Sequence, residues 1–237
     1  MCRREEEKSP RQDEGAGVTP DYTASTDKPT IHAIESHNIG GELFPVMIDP
    51  VAFDRKPTNP ETGGITNRFR FDESTYQLIT AEQLRDAIIH GHTVCYGCFE
   101  KCVDGQKFGH SKFIGQRLMA VDIDNAHEDK TPIEFWEYGF LDVPRAIDRC
   151  LHGLGQLPLI VYESFNSTES HPKFRLVLDL GEVVTDYNEA HEQILDVLAL
   201  FPEADRNGKC ELPDCLFFGT TPANGQYWSS DRLKGWS

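Results

Sequence analysis

A chain of 237 residues with 38% hydrophobic and 10% aromatic side chains can bury a sizeable core, which excludes a fibrous or wholly disordered protein. The formal net charge of −16 argues against charge-driven binding of duplex DNA, which needs a broad basic face. No run reaches the roughly 18 consecutive apolar residues of a membrane span, and the opening MCRREEEKSPRQDEGAG is charged where a signal peptide is apolar, so a cytoplasmic protein without membrane contact is expected.

In chain order, residues 1–28 are charged and rich in Ser, Thr, Gly and Pro, which predicts a disordered leader before a single folded domain at 29–237. Glu42–Ile48 has the pattern of a short strand, and Lys56–Gly64 reads as a turn-rich segment. Thr80 with Gln83 makes a capping box, Leu84, Ala87 and Ile88 supply one apolar stripe, and Gly91 stops the predicted helix. A strand is predicted at Leu118–Asp124, and Thr131-Pro-Ile-Glu134 repeats the helix-start logic with proline at the first helical position. Asp142–Gly153 predicts a helix with Ala146, Ile147, Cys150 and Leu151 on its apolar side. Asp186 with Glu189 opens another, whose stripe is Ile194, Val197, Leu198 and Phe201. Strands are predicted at Leu159–Ser164, Phe174–Leu180 and Cys215–Phe218. Helices alternating with strands around a central sheet give an α/β or α+β fold, with the strand order left open.

The segment Leu118-Met-Ala-Val-Asp-Ile-Asp124-Asn carries the most chemistry. Strand alternation puts Asp122 and Asp124 on one face, about 7 Å apart at Cα, while Met119, Val121 and Ile123 point into a core. Two carboxylates aimed at one point repel unless cations sit between them, and oxygen-only ligands suit Mg²⁺ or Mn²⁺. Two such ions about 3.5–4 Å apart serve in-line attack of a hydroxyl on a nucleoside triphosphate. The plainer alternative is a pair of strand-end aspartates that solvate a turn. In His171-Pro-Lys-Phe-Arg-Leu-Val-Leu-Asp-Leu180, the same alternation groups His171, Lys173 and Arg175 opposite Phe174, Leu176, Leu178 and Leu180. Such a cationic edge matches the needs of a triphosphate, and it equally describes a solvated strand face.

The order Val-Asp-Ile-Asp-Asn, Tyr162-Glu-Ser-Phe-Asn-Ser-Thr-Glu-Ser-His171-Pro-Lys-Phe-Arg-Leu-Val, Phe201-Pro-Glu-Ala-Asp205 and Leu216-Phe-Phe-Gly219 resembles primases of phages and plasmids in the archaeo-eukaryotic primase superfamily. The likeness runs from about Thr80 to Gly219. It implies an α+β catalytic core in which an α/β lobe packs on an RRM-like lobe, with the active site in the cleft. It also implies metal ligation by Asp122, Asp124 and a later acid, carried over to Asp205, beside which Glu203, Glu211 and Asp214 lie in sequence. His171 is then catalytic and nucleotide-binding, together with Ser164, Lys173 and Arg175. The implied partners are a single-stranded DNA template, NTP or dNTP, and a helicase domain or protein. The implied activity is template-dependent primer synthesis with two divalent cations. Cys215 stands where related sequences often carry arginine, for which Arg206 or Lys209 are the substitutes in this chain.

Cys95-Tyr-Gly-Cys98-Phe-Glu-Lys-Cys102 has the opening of a zinc site but no second C-x-x-C follows, so reduced thiols are expected of all seven cysteines. His90-Gly-His92 suggests a replication initiator that nicks DNA through tyrosine, although glycine stands where that motif has a bulky apolar residue, and a polar helix exit is the simpler reading. A third class is a non-catalytic RRM-like module that binds single strands through exposed aromatics such as Tyr162 or Phe165.

Overall fold

The computed structural model describes residues 41–103, 106, 109–127, 129–205 and 210–221, and the backbone alone at 227–229. The predicted leader and its boundary at residue 28, together with Cys2, Arg206 and Lys209, lie outside the described residues. The elements run β1 (Phe44–Ala52), α1 (Asn59–Phe71), β2 (Tyr76–Ile79), α2 (Ala81–Ile89), β3 (His92–Cys95), β4 (Gly97–Phe99) and β5 (Phe113–Ile123). They continue as α3 (Val143–Leu154), β6 (Ile160–Glu163), β7 (Phe174–Val184), α4 (Tyr187–Ala199) and β8 (Tyr227–Ser229). This is a mixed α+β fold with two antiparallel sheets, ordered β2-β1-β3 and β4-β5-β7-β6-β8. No helix among the described residues is long and apolar enough to cross a membrane.

Three predicted helices form where their caps place them. Thr80 and Gln83 make the reciprocal capping box of α2, Asp142 accepts from Arg145 N at the start of α3, and Asp186 accepts from Asn188 N and Glu189 N at the start of α4. Two segments differ from their reading. Lys56–Gly64 is not all turn, because Thr58 caps α1, Glu61 returns a bond to the Thr58 N–H, and a proline occupies the first turn. The helix then buries Ile65 and Phe69 against Met47, Cys95 and Phe99, which outweighs the cost of Gly63 and Gly64 in its interior. Conversely, Thr131-Pro132-Ile-Glu134 starts no helix. Pro132 bridges Ala126, and the Ile133 N–H is taken by the Asn125 carbonyl at 2.8 Å, so the backbone is committed elsewhere. Cys215–Phe218 is likewise no strand: Phe217 makes an isolated antiparallel bridge with Val94.

The five-stranded sheet is covered on both faces. Met119, Val121 and Ile123 of β5 and Phe174, Leu176 and Leu178 of β7 pack against Ala146, Ile147 and Cys150 of α3 and Ile194, Val197 and Leu198 of α4. On the other face Leu118, Ala120, Tyr162 and Val177 meet Phe44, Val46 and Ile48 of β1, Leu84 and Ile88 of α2, and Phe217. A single residue, the buried Tyr96, separates β3 from β4, so there the chain steps from one sheet to the other. The stretch β5-α3-β6-β7-α4 has the β-α-β-β-α order of a split βαβ unit, with β7 between β5 and β6. The strand after α4, however, pairs with β6, while β4 takes the free edge of β5.

Candidate functional site

The predicted acidic and basic residues meet where β5 ends and β7 begins. Asp122 and Arg175 are direct cross-strand partners, and Tyr162 of β6 is the next residue in the same row. Alternation turns all three toward the face that β1 and α2 cover. One Arg175 Nη lies 3.0 Å from Asp122 Oδ2, and the other donates to the Phe218 carbonyl. Arg175 is only 8% exposed, and its guanidinium carbon lies 5.7 Å and 5.9 Å from the ring centroids of Tyr162 and Phe217. Burial acts against its charge, but Asp122 and Tyr162 more than offset that, and the pKa is held well above its ordinary value. Its buried Nε has no hydrogen-bond partner among the described residues.

Just beyond the strand ends, Lys173 Nζ lies 2.7 Å from Asp124 Oδ1. Asp205 reaches the same place because its N–H donates to the Asp122 carbonyl at 2.8 Å and Ala204 bridges Ile123. Its carboxylate also faces Lys130 Nζ at 3.5 Å. Asp122, Asp124, Asp205, Ser164, Lys173 and Arg175 thus line one cavity of about 100 Å³, completed by Lys56, Phe165, Asn166 and Phe218. Of the acids near Asp205, Glu203 is bound by Arg149, and Asp214 accepts from the Tyr187 hydroxyl at 3.4 Å.

His171 is placed differently from its predicted role. Its Nε2 lies 2.7 Å from the Asp124 carbonyl and 2.9 Å from the Asn125 carbonyl, so Nε2–H donates to the backbone and the ring is absent from the cavity wall. It acts on the site by holding the turn after Asp124. Asn125 does the same from the other side. It is fully buried at φ 44°, accepts from Leu141 N–H at 2.8 Å, and donates to the carbonyls of Leu141 and Pro172 at 2.9 Å and 2.8 Å. Sequence reasoning passed over Asn125, whose signal was an asparagine directly after a strand, a residue that tolerates the left-handed conformation. Lys56 was also missed, because the turn reading of its segment carried no contact with β5.

The donor chemistry suits a hard divalent cation: three carboxylates face the cavity, and among the described residues no histidine or cysteine lines it. Yet Arg175 and Lys173 hold Asp122 and Asp124, and among the described residues no three His, Cys, Asp or Glu side chains are grouped as metal ligands. A cation at Asp124 Oδ1 would compete with the Lys173 ammonium.

The remaining candidates lie away from the cavity. Cys95, Cys98 and Cys102 are buried free thiols, and burial pushes the Cys98 thiol up to about 12 and the Cys95 thiol well above its usual range. His90 caps α2 through the Asp86 carbonyl, whereas His92 turns to the Asp49 carbonyl, so the two imidazoles serve different contacts. Tyr162 is completely buried rather than exposed, because its strand face lies under the three-stranded sheet.

Beside the small cavity lies a larger cleft of about 990 Å³, and Asp124 and Asp205 line both. Its other walls include Lys130 and Tyr138 from the segment before α3, together with Arg149, Leu200, Pro202 and Glu203. No protein-family model, curated protein or solved structure matches the chain.

Proposed function

We propose that the protein is a template-dependent nucleotidyltransferase of the archaeo-eukaryotic primase type, which synthesises primers on single-stranded DNA for a phage or plasmid replicon. The observation that carries this reading is the convergence of Asp122, Asp124 and Asp205 with Lys173 and Arg175 on one small cavity, although they come from segments up to 83 residues apart in the chain. A cavity of about 100 Å³ is too small for a whole nucleotide, since ligand clefts run to about 300–1,000 Å³, but it shares Asp124 and Asp205 with a cleft of about 990 Å³.

In this reading Asp122, Asp124 and Asp205 are the groups that would hold Mg²⁺ or Mn²⁺. Such cations supply activation of the attacking 3′-hydroxyl and stabilisation of the leaving pyrophosphate when bound. Lys173, released from Asp124, offers a mobile ammonium to a phosphate oxygen, and Lys56, which also lines the cavity, adds a second. Arg175 contributes a fixed positive charge from the floor rather than a free fork, because both of its terminal nitrogens are engaged. His171 and Asn125 position the Asp124 carboxylate through the backbone.

The test is synthesis on single-stranded templates with labelled NTP or dNTP, Mg²⁺ or Mn²⁺, and no primer. Template-dependent products are expected, and they are expected to vanish in Asp124→Asn. The pairing of Asp122 and Asp124 with basic side chains favours a second reading, a single-strand binding module without catalysis. Oligonucleotide binding with no product under any cation or nucleotide would select it.

A further inference from the structure

The segment between Asp124 and α3 leaves three aromatic rings in solvent. Phe135 and Trp136 are each 69% exposed and Tyr138 is fully exposed, whereas the other exposed aromatic among the described residues, Phe71, lies under the Arg70 guanidinium. Burying one such ring is worth about 1.5–3 kcal/mol, so a chain that leaves three together forgoes a substantial stabilisation. Their display is not slack. The Glu134 N–H donates to Glu137 Oε2 at 3.1 Å, the Glu137 N–H donates to the Glu134 carbonyl at 2.8 Å, and both ends of the segment are tied to Asn125. Phe135 and Trp136 meet edge to face at 4.7 Å, and Tyr138 stands in the wall of the large cleft with Lys130.

We infer that this segment is a stacking platform for the unpaired bases of a single-stranded nucleic acid, which the large cleft leads toward the carboxylate cavity. The inference rests on the phosphoryl-transfer reading of that cavity and adds where the strand lies. Two observations choose bases over an apolar protein segment. Tyr138 lines the cleft that shares Asp124 and Asp205 with the lysine-lined cavity, and the three rings stand in solvent rather than in a closed apolar groove. Glu134 and Glu137 lie on the same segment and the chain as a whole is acidic, so phosphate attraction contributes little. Binding by flat rings is tolerant of base identity and needs no basic face. Few phosphates are neutralised, so affinity depends only weakly on salt.

The experiment is fluorescence anisotropy of a labelled oligothymidylate of about 12 nucleotides with the full chain, without divalent cation or nucleotide. Trp136→Ala and Tyr138→Ala are each expected to weaken binding by about five- to a hundredfold, and Tyr138→Phe to preserve it. Between 50 and 200 mM salt the affinity is expected to fall less than about tenfold, against roughly 10³ or more for a strand held by many phosphate contacts. All three side chains are exposed, so the variants keep their fold, which circular dichroism checks. Unchanged affinity in both alanine variants, no binding by the parent chain, a steep salt slope, or equal competition by free thymidine monophosphate would each overturn the platform. Primer synthesis plays no part in this assay. A parent chain that binds the oligonucleotide through these rings but makes no product sinks the nucleotidyltransferase reading and leaves the platform standing.

Discussion

The two hollows that share Asp124 and Asp205 are built on opposite principles. The small cavity is walled largely by strand ends, and Asp122 and Asp124 are held in pairs by Arg175 and Lys173, with Arg175 also bound to the Phe218 carbonyl. Much of the large cleft is walled by an irregular segment whose backbone is fixed while its rings stand free. A reacting phosphate needs charges fixed to fractions of an ångström, which strands supply, whereas a strand of varying sequence needs surfaces that accept any base, which loops supply. The contrast predicts that substitutions on the two sides fail differently, in stability on one and in binding on the other.

The largest expected effect breaks the locked side. Asp122→Ala leaves the guanidinium of Arg175 charged, buried and unpaired, and is expected to cost about 3–5 kcal/mol in urea unfolding. Adding Arg175→Met is expected to restore most of that stability without restoring synthesis, because an apolar pair of similar volume tolerates the same burial. If Asp122→Ala unfolds like the parent, the pair is not the structural lock described. Asn125→Ala is expected to cost about 1–3 kcal/mol, since it strands the Leu141 N–H and two carbonyls in the interior. Hydrogen exchange is expected to rise at Leu141 before it rises in β5.

Asp124→Asn sharpens the comparison from the active side. The Asp124–Lys173 pair is partly exposed, with side-chain exposures of 27% and 18%, so stability is expected to change by less than about 1 kcal/mol. Synthesis in the same variant is expected to fall at least a hundredfold, on the order of the loss of one charge-stabilising group. A fully active Asp124→Asn would remove the carboxylate from the chemistry.

The smallest effect concerns the approach of Lys56. Arg55 and the N–H and hydroxyl of Thr58 lower the Glu61 carboxyl from its ordinary 4.5 to about 2. Because the folded value is depressed, this support for the start of α1 is complete above about pH 4.5 and is lost as the pH falls through about 2. Amide shifts of Thr58–Thr62 are expected to follow that window, and Glu61→Gln to abolish the dependence.

The parts of this arrangement legible in sequence are those set by local periodicity. Alternation placed Asp122 opposite Val121 and Ile123, and Arg175 opposite Phe174 and Leu176, and the capping residues Thr80, Asp142 and Asp186 started helices as read. What pairs across strands was not legible. That Asp122 faces Arg175 depends on β5 lying beside β7, a tertiary choice that no single segment encodes, and it turns a predicted phosphate fork into a lock. The same limit explains the two capping motifs. Thr58 and Thr131 each precede a proline and a glutamate, but Ile65 and Phe69 reward a helix after the first with burial, while Asn125 claims the backbone after the second.

The passage through Tyr96 has a consequence for how the protein reaches this state. With one residue between β3 and β4, the chain passes directly from one sheet into the other, and Val94 is bridged by Phe217 from the far end of the described chain. The pairings of β1 with β2 and β3 lie within residues 44–95, whereas that bridge spans more than 100 residues of sequence. Pairings of that span are slow to close, so the Val94–Phe217 bridge is expected to gain protection after β1, β2 and β3 have paired.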